Sequence, residues 1–199
     1  MPKDTFFNLP DEKRKKIINA AINQFSEFHY SNVTINKIVQ HAKIPKGSFY
    51  QYFENKDDLY IYLFTEFGDT KLDIFECLKA KIPVISFKEY MMEYIIELKK
   101  LEASNDQIHH LKREFLKECP QNIKKKILCI EMPKSLKAFR KIIESYIAKG
   151  EFRKDLDSKV AAYVIVISIS NLEYYDINDT EDIISALTRV IDFLADSMS

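Results

Sequence analysis

Residues 46–52 gather an ammonium, a hydroxyl, two phenols and a carboxamide into a short stretch: Lys46, Ser48, Tyr50, Gln51 and Tyr52, with Gly47 among them. Phe49 and Phe53 are four residues apart, so on a helix they share a face and can lock it to a core. The polar side chains are then left for the outer face. Such a face suits a nucleic-acid duplex. Lys46 can donate to guanine O6/N7 or to a phosphate, and Gln51 can pair with adenine N6/N7. Ser48, Tyr50 and Tyr52 can hydrogen-bond phosphates and fix register. Gly47 lets the backbone approach a sugar-phosphate chain closely.

Positioning that face requires a scaffold. Ile17, Ile18, Ala21, Ile22, Phe25 and Phe28 recur at helical spacing and predict an amphipathic helix over 11–29. Thr34 is placed to cap a short helix over 35–41, with apolar Ile35, Ile38 and Val39. Pro45 suits the start of the next, over 45–52. Asn55 can cap a fourth helix with Asp57 and Asp58 in its first turn. Two short helices behind a longer one predict a helix-turn-helix. Thr34 and Lys56 can add phosphate contacts at its edges.

The segment TINKIVQHAKIPKGSFYQYFENKDDL, Thr34 to Leu59, resembles the DNA-binding domain of the TetR family, whose string runs roughly T-x-x-x-I-A-x-x-A-G-V-S-x-G-T-L-Y-x-Y-F-x-x-K-x-x-L. Thr34, Ile38, Ala42, Gly47, Tyr50, Tyr52, Phe53, Lys56 and Leu59 match, and Ser48 and Phe49 are close substitutes. Lys43 stands where the family has its turn Gly, and Pro45 where it has Ser. A left-handed Lys43 costs about 1 kcal/mol and offers another cation near DNA. The resemblance implies a homodimer reading a pseudo-palindromic double-stranded operator, most often as a repressor. It also implies that a small-molecule effector moves the long fourth helix and changes the separation of the reading helices.

The fold class expected is therefore all-α. Residues 1–55 form a three-helix helix-turn-helix domain, and residues 56–199 a larger helical domain for ligand binding and dimerisation. Only 3 Gly and 6 Pro in 199 residues favour long helices over sheets. Periodicity carries the fourth helix to about 80. Further helices are expected over 86–103, 106–118, 120–130, 134–149, 157–175 and 180–197, with breaks at Pro83, Pro120 and Pro133. Gly150 reads as a C-terminal cap, and Asp157 and Thr180 or Asp179 as N-caps. The last two helices are expected to pair with their mates in a dimer. Phe64, Phe67, Tyr90, Tyr94, Phe115, Tyr146 and Tyr163 are candidates to line an apolar cavity for a hydrophobic effector.

Charge points the same way. The chain is neutral overall, yet residues 1–56 carry nine Lys/Arg against five Asp/Glu, so the remainder is net negative. A basic end on a neutral chain suggests a local anion-binding surface. Residues 1–16 are polar and charged, without a leader's apolar core. The apolar run at 160–169 is short of the roughly 20 residues that span a bilayer. With three cysteines and no CxxC, reduced thiols and a cytoplasmic location are expected. His109 and His110 are adjacent, about 100° apart on a helix, and do not make a chelating pair. No glycine fingerprint, P-loop or G-x-S-x-G occurs. No catalytic residue, metal or cofactor is therefore expected. The competing class is a helical lipid-binding or protein-interaction module without operator binding.

Overall fold

The structure, a computed structural model, describes residues 1–103, 110–111, 115, 119–171 and 183–199. Every regular element among them is helical. The elements are α1 (Asp4–Phe7), α2 (Asp11–Glu27), a 3-10 turn (Tyr30–Asn32), α3 (Ile35–Ala42), α4 (Lys46–Tyr52) and α5 (Lys56–Cys77). A second 3-10 turn (Leu78–Lys81) precedes α6 (Phe87–Ala103), α7 (Gln121–Lys149), α8 (Ser158–Ser170) and α9 (Ile183–Met198). The expected 106–118 helix lies mostly outside the described residues, as do His109 and the Asp179 and Thr180 caps.

The local signals explain most boundaries. The Thr34 hydroxyl accepts from the Lys37 amide at 3.3 Å and opens α3. Asn55 accepts from the Asp58 amide at 3.0 Å and opens α5. Asp157 accepts from the Lys159 and Val160 amides at 2.9 and 3.2 Å and opens α8. Each cap satisfies donors that the first helical turn leaves without partners. Gly150 sits at φ +84° after α7, where an L side chain would be strained.

Pro133 does not end a helix. It lies inside α7, which is continuous from Gln121 to Lys149. A proline there removes one backbone donor, its own bond to the Cys129 carbonyl position. Ile123 and Ile127 before it, and Ile142, Ile143 and Tyr146 after it, are all buried. Burial on both sides outweighs a local penalty of about 3 kcal/mol.

The described residues gather into two compact units: residues 1–69 with 100–130, and residues 70–99 with 131–199. In the first, Ile17, Ala21 and Phe25 of α2 meet Ile38 and Val39 of α3, Phe49 of α4, and Leu59 and Tyr60 of α5. In the second, Phe75, Phe87, Tyr90, Ile142, Tyr146, Ile165 and Leu194 share one core. No helix of the described residues is long and apolar enough to cross a membrane.

Candidate nucleic-acid interface

The turn between α3 and α4 is set by Lys43, at φ 53° and ψ 46°. The Lys43 amide donates to the Gln40 carbonyl at 3.2 Å and the Ile44 amide to the Val39 carbonyl at 3.0 Å. This double bond pattern closes a helix through one left-handed residue, a place that favours glycine. Lys43 is the sole non-glycine residue with positive φ among those described. Lys43→Gly should raise stability by roughly 0.5 kcal/mol, the relieved strain being partly offset by a freer unfolded chain. Thermal unfolding reads this directly, and a loss of stability would contradict the strain argument.

Pro45 is the N-cap of α4, with no side-chain cap bond. Its carbonyl accepts from the Ser48 amide at 3.0 Å. On the inner side Phe49 and the following Phe53 are fully buried. Lys46, Gly47 and Gln51 are exposed, Ser48 is half-buried, and Tyr50 is 44% exposed, its ring edge-on to Phe49. Lys43 and Thr34 are exposed as well. A Cβ added at Gly47 would meet nothing within 4 Å. The fold itself therefore does not require a glycine there, although one inside a helix costs about 1 kcal/mol relative to alanine.

Two residues expected on the outer surface are placed otherwise. Tyr52 is 5% exposed and belongs to the core. Its ring lies 6.2 Å from that of Phe6, with the Lys13 ammonium 5.9 Å from its centroid. The spacing Phe49, Tyr52, Phe53 is i, i+3, i+4, a single helical stripe, so the phenol body follows the two phenyl rings inward. Lys56 is the second correction. Its ammonium donates to the carbonyls of Tyr30, Ser31 and Val33 at 2.7, 3.5 and 3.0 Å and sits 4.5 Å from the Tyr30 ring centroid. An ammonium has three protons, and all three are engaged inside the fold. Burial lowers the pKa of Lys56, with neighbouring Asp57 opposing. The Tyr30 hydroxyl donates to Asp57, so the start of α5 braces the 3-10 turn that leads into Thr34.

A contact with the end of α4 that the local sequence does not announce lies at residues 3–6. Phe6 is fully buried, with its ring 4.8 Å from that of Phe53 and 5.4 Å from that of Tyr62. Burial, then Glu66, pushes the Tyr62 phenol up to about 12. The Lys3 amide donates to the Tyr52 carbonyl at 2.8 Å, the Lys3 ammonium to the Tyr50 carbonyl at 3.0 Å, and the Thr5 hydroxyl to the Gln51 carbonyl. The only available signal was the Phe6–Phe7 pair within an otherwise polar stretch.

The candidate effector-lining aromatics do not gather in one place. Phe64, Phe67 and Phe115 belong with the core of the first unit, with Phe64 and Phe115 ring centroids 4.4 Å apart. Tyr90, Tyr94 and Tyr146 are core residues of the second. Burial raises all three phenols above the ordinary range. The Tyr90 hydroxyl donates to the Phe75 carbonyl at 2.5 Å, and the Tyr146 hydroxyl lies within 3.3 Å of the Ile85 and Ser86 carbonyls. Tyr163 is 56% exposed on α8 and lines no interior.

Among the described residues no group of three or more His, Cys, Asp or Glu could hold a metal ion. Cys119 is buried, and burial pushes its thiol up to about 11, which leaves it mostly as an inert thiol at neutral pH.

This geometry has known counterparts. The model of the tetR family of bacterial regulatory proteins matches residues 17–63, from the middle of α2 into α5. The HTH-type transcriptional regulator HbdR of Aromatoleum sp. (strain CIB) is 47% identical over 51 residues, which is 26% of this chain and 22% of HbdR. The fatty acid metabolism regulator protein of Bacillus subtilis (strain 168) is 26% identical over 189 residues, covering 92% of this chain and 93% of that protein. The fold is shared with the transcriptional regulator FadR from Bacillus subtilis, solved in complex with stearoyl-CoA, at a TM-score of 0.62, 22% identity and coverage of 93% and 99%. Residues 17–63, which carry the turn and the helices around it, therefore form a DNA-binding domain of the kind found in the tetR family of bacterial regulatory proteins.

Proposed function

We propose that the chain is a homodimeric, DNA-binding transcriptional repressor acting in the cytoplasm, released from its operator by a small hydrophobic ligand. One observation carries the reading. The outer side of α4 presents Lys46, Gly47, Tyr50 and Gln51 to solvent while Phe49 and Phe53 hold the helix from behind. A glycine with open space around it adds to this, since a closely approaching partner is one reason to omit a side chain there. Lys46 and Gln51 are the proposed base readers. Thr34, Lys43, Ser48 and Tyr50 are the proposed backbone contacts.

Residues 1–55 are the reading part in this proposal, and residues 56–199 bind the effector and dimerise. Val160, Tyr163 and Val164 lie at i, i+3 and i+4 on α8, exposed by 58%, 56% and 39%, and Phe193 on α9 is 73% exposed. An apolar stripe of this kind suits a two-fold interface. A dimer presents two reading helices to successive major grooves of a pseudo-palindromic site. The effector need only bind more tightly to the state whose spacing does not fit DNA. The buried aromatic content of residues 70–99 and 131–199, and the acyl-CoA held by FadR of Bacillus subtilis, favour a ligand with a long apolar chain.

The test is selection of duplexes from a random pool, followed by affinity measurements on the selected site. Lys46→Ala and Gln51→Ala should each weaken binding by about tenfold and relax preference at distinct positions. Selection of no duplex, or indifference to both substitutions, would overturn the assignment.

A further inference from the structure

An α-helix leaves its last four carbonyls without intrahelical partners. For α4, ending at Tyr52, these belong to Phe49, Tyr50, Gln51 and Tyr52. The Phe49 carbonyl accepts from the Phe53 amide at 2.9 Å, which closes the helix. The other three are served from outside the motif. The Lys3 ammonium takes Tyr50 at 3.0 Å, the Thr5 hydroxyl takes Gln51, and the Lys3 amide takes Tyr52 at 2.8 Å. Beside these donors, α1 inserts Phe6, fully buried, against Phe53 and Tyr52. Residues separated by 46 to 49 positions in sequence thus meet at one helix end. The Lys3 cation also lies at the negative end of the helix dipole.

We infer that residues 3–6 are a positioning clip for the reading helix: Lys3, Thr5 and Phe6 fix the C-terminal end of α4, and with it the aim of Tyr50 and Gln51. The inference rests on the reading of α4 as the helix that faces DNA. Two of the three clipped carbonyls belong to Tyr50 and Gln51, whose side chains are proposed to contact the duplex. A helix of only seven residues has little intrinsic stability. Its last turn frays unless its carbonyls are held, and a frayed last turn lets Gln51 sample several directions. Lys3 spends its ammonium on a carbonyl, so its contribution is to geometry.

The decisive variant is the full chain carrying Lys3→Met and Thr5→Val. Both residues are exposed, and the buried Phe6 is left in place so that the fold survives. Affinity for the selected duplex should fall about tenfold, as two hydrogen bonds of ordinary strength are lost. Affinity for a scrambled duplex and the slope of log affinity against log salt should stay unchanged. Amide exchange at residues 50–53 should accelerate whether or not DNA is present. Lys3→Arg with Thr5→Ser should restore both the affinity for the selected duplex and the slower amide exchange. Equal loss on both duplexes with a slope reduced by about one would place Lys3 on a phosphate and overturn the clip. So would unchanged amide exchange. Faster exchange in a chain whose wild type selects no duplex would sink the DNA reading while the contact at the helix end stands.

Discussion

Replacing Phe53 with alanine should cost about 3–5 kcal/mol of stability. Phe53 is fully buried. Its ring centroid lies 4.8 Å from Phe6, 5.5 Å from Phe49 and 6.3 Å from Tyr62. It is also the C-cap of α4, at φ −134° and ψ 148°, where the chain turns from helix to extended backbone. Truncation therefore removes a large apolar group at the point where α1, α4 and α5 converge, and no single neighbour can collapse into a space bounded by three rings. Chemical denaturation followed by helical circular dichroism measures the loss. Tyr50→Ala is the control. That ring is 44% exposed, and its removal should change stability by about 0.5 kcal/mol or less. If Phe53→Ala lost less than about 1 kcal/mol, the convergence of rings would not be what anchors the reading helix.

The helix-turn-helix was legible because its signals are local. Thr34, Asn55 and the i, i+4 pair Phe49 and Phe53 each act within a few residues, and each does what its type and spacing dictate. Tyr52 is buried against its polar type but in keeping with the periodicity. Three residues beyond Phe49 is the inner face, and the one polar atom of a phenol does not turn Tyr52 outward. Other parts depend on partners far along the chain. Phe6 finds Tyr52, Phe53 and Tyr62, and nothing in residues 1–16 indicates that such partners exist. The chemistry of Pro133 alone predicts a break, whereas burial on both sides of it decides the outcome. The candidate effector-lining aromatics share only their residue type. Side-chain type does not reveal which core a residue joins, and Phe64 and Tyr90 joined different ones.

Lys56 gives the sharpest separation between a contact with DNA and a contact within the fold. Lys56→Met keeps most of the apolar stem and deletes the ammonium that serves the Tyr30, Ser31 and Val33 carbonyls. Two of these bonds are part-buried, so their acceptors lose a charged donor without full access to water. The expected loss is about 2–3 kcal/mol, read as a lower denaturation midpoint with an unchanged slope. Arginine should recover only part of it, because a planar guanidinium cannot spread its donors over three carbonyls as an ammonium does. The salt dependence of duplex binding should be the same for Lys56→Met as for the parent chain under conditions where both are folded. Lys46→Met should do the reverse, leaving stability within about 0.5 kcal/mol while weakening duplex binding and relaxing preference at one position of the selected site. The two lysines stand ten positions apart in one motif, yet their substitutions should move different observables. If Lys56→Met left the denaturation midpoint in place and lowered the salt slope, the bracing of the 3-10 turn would be incidental, and the lysine would belong on a phosphate after all.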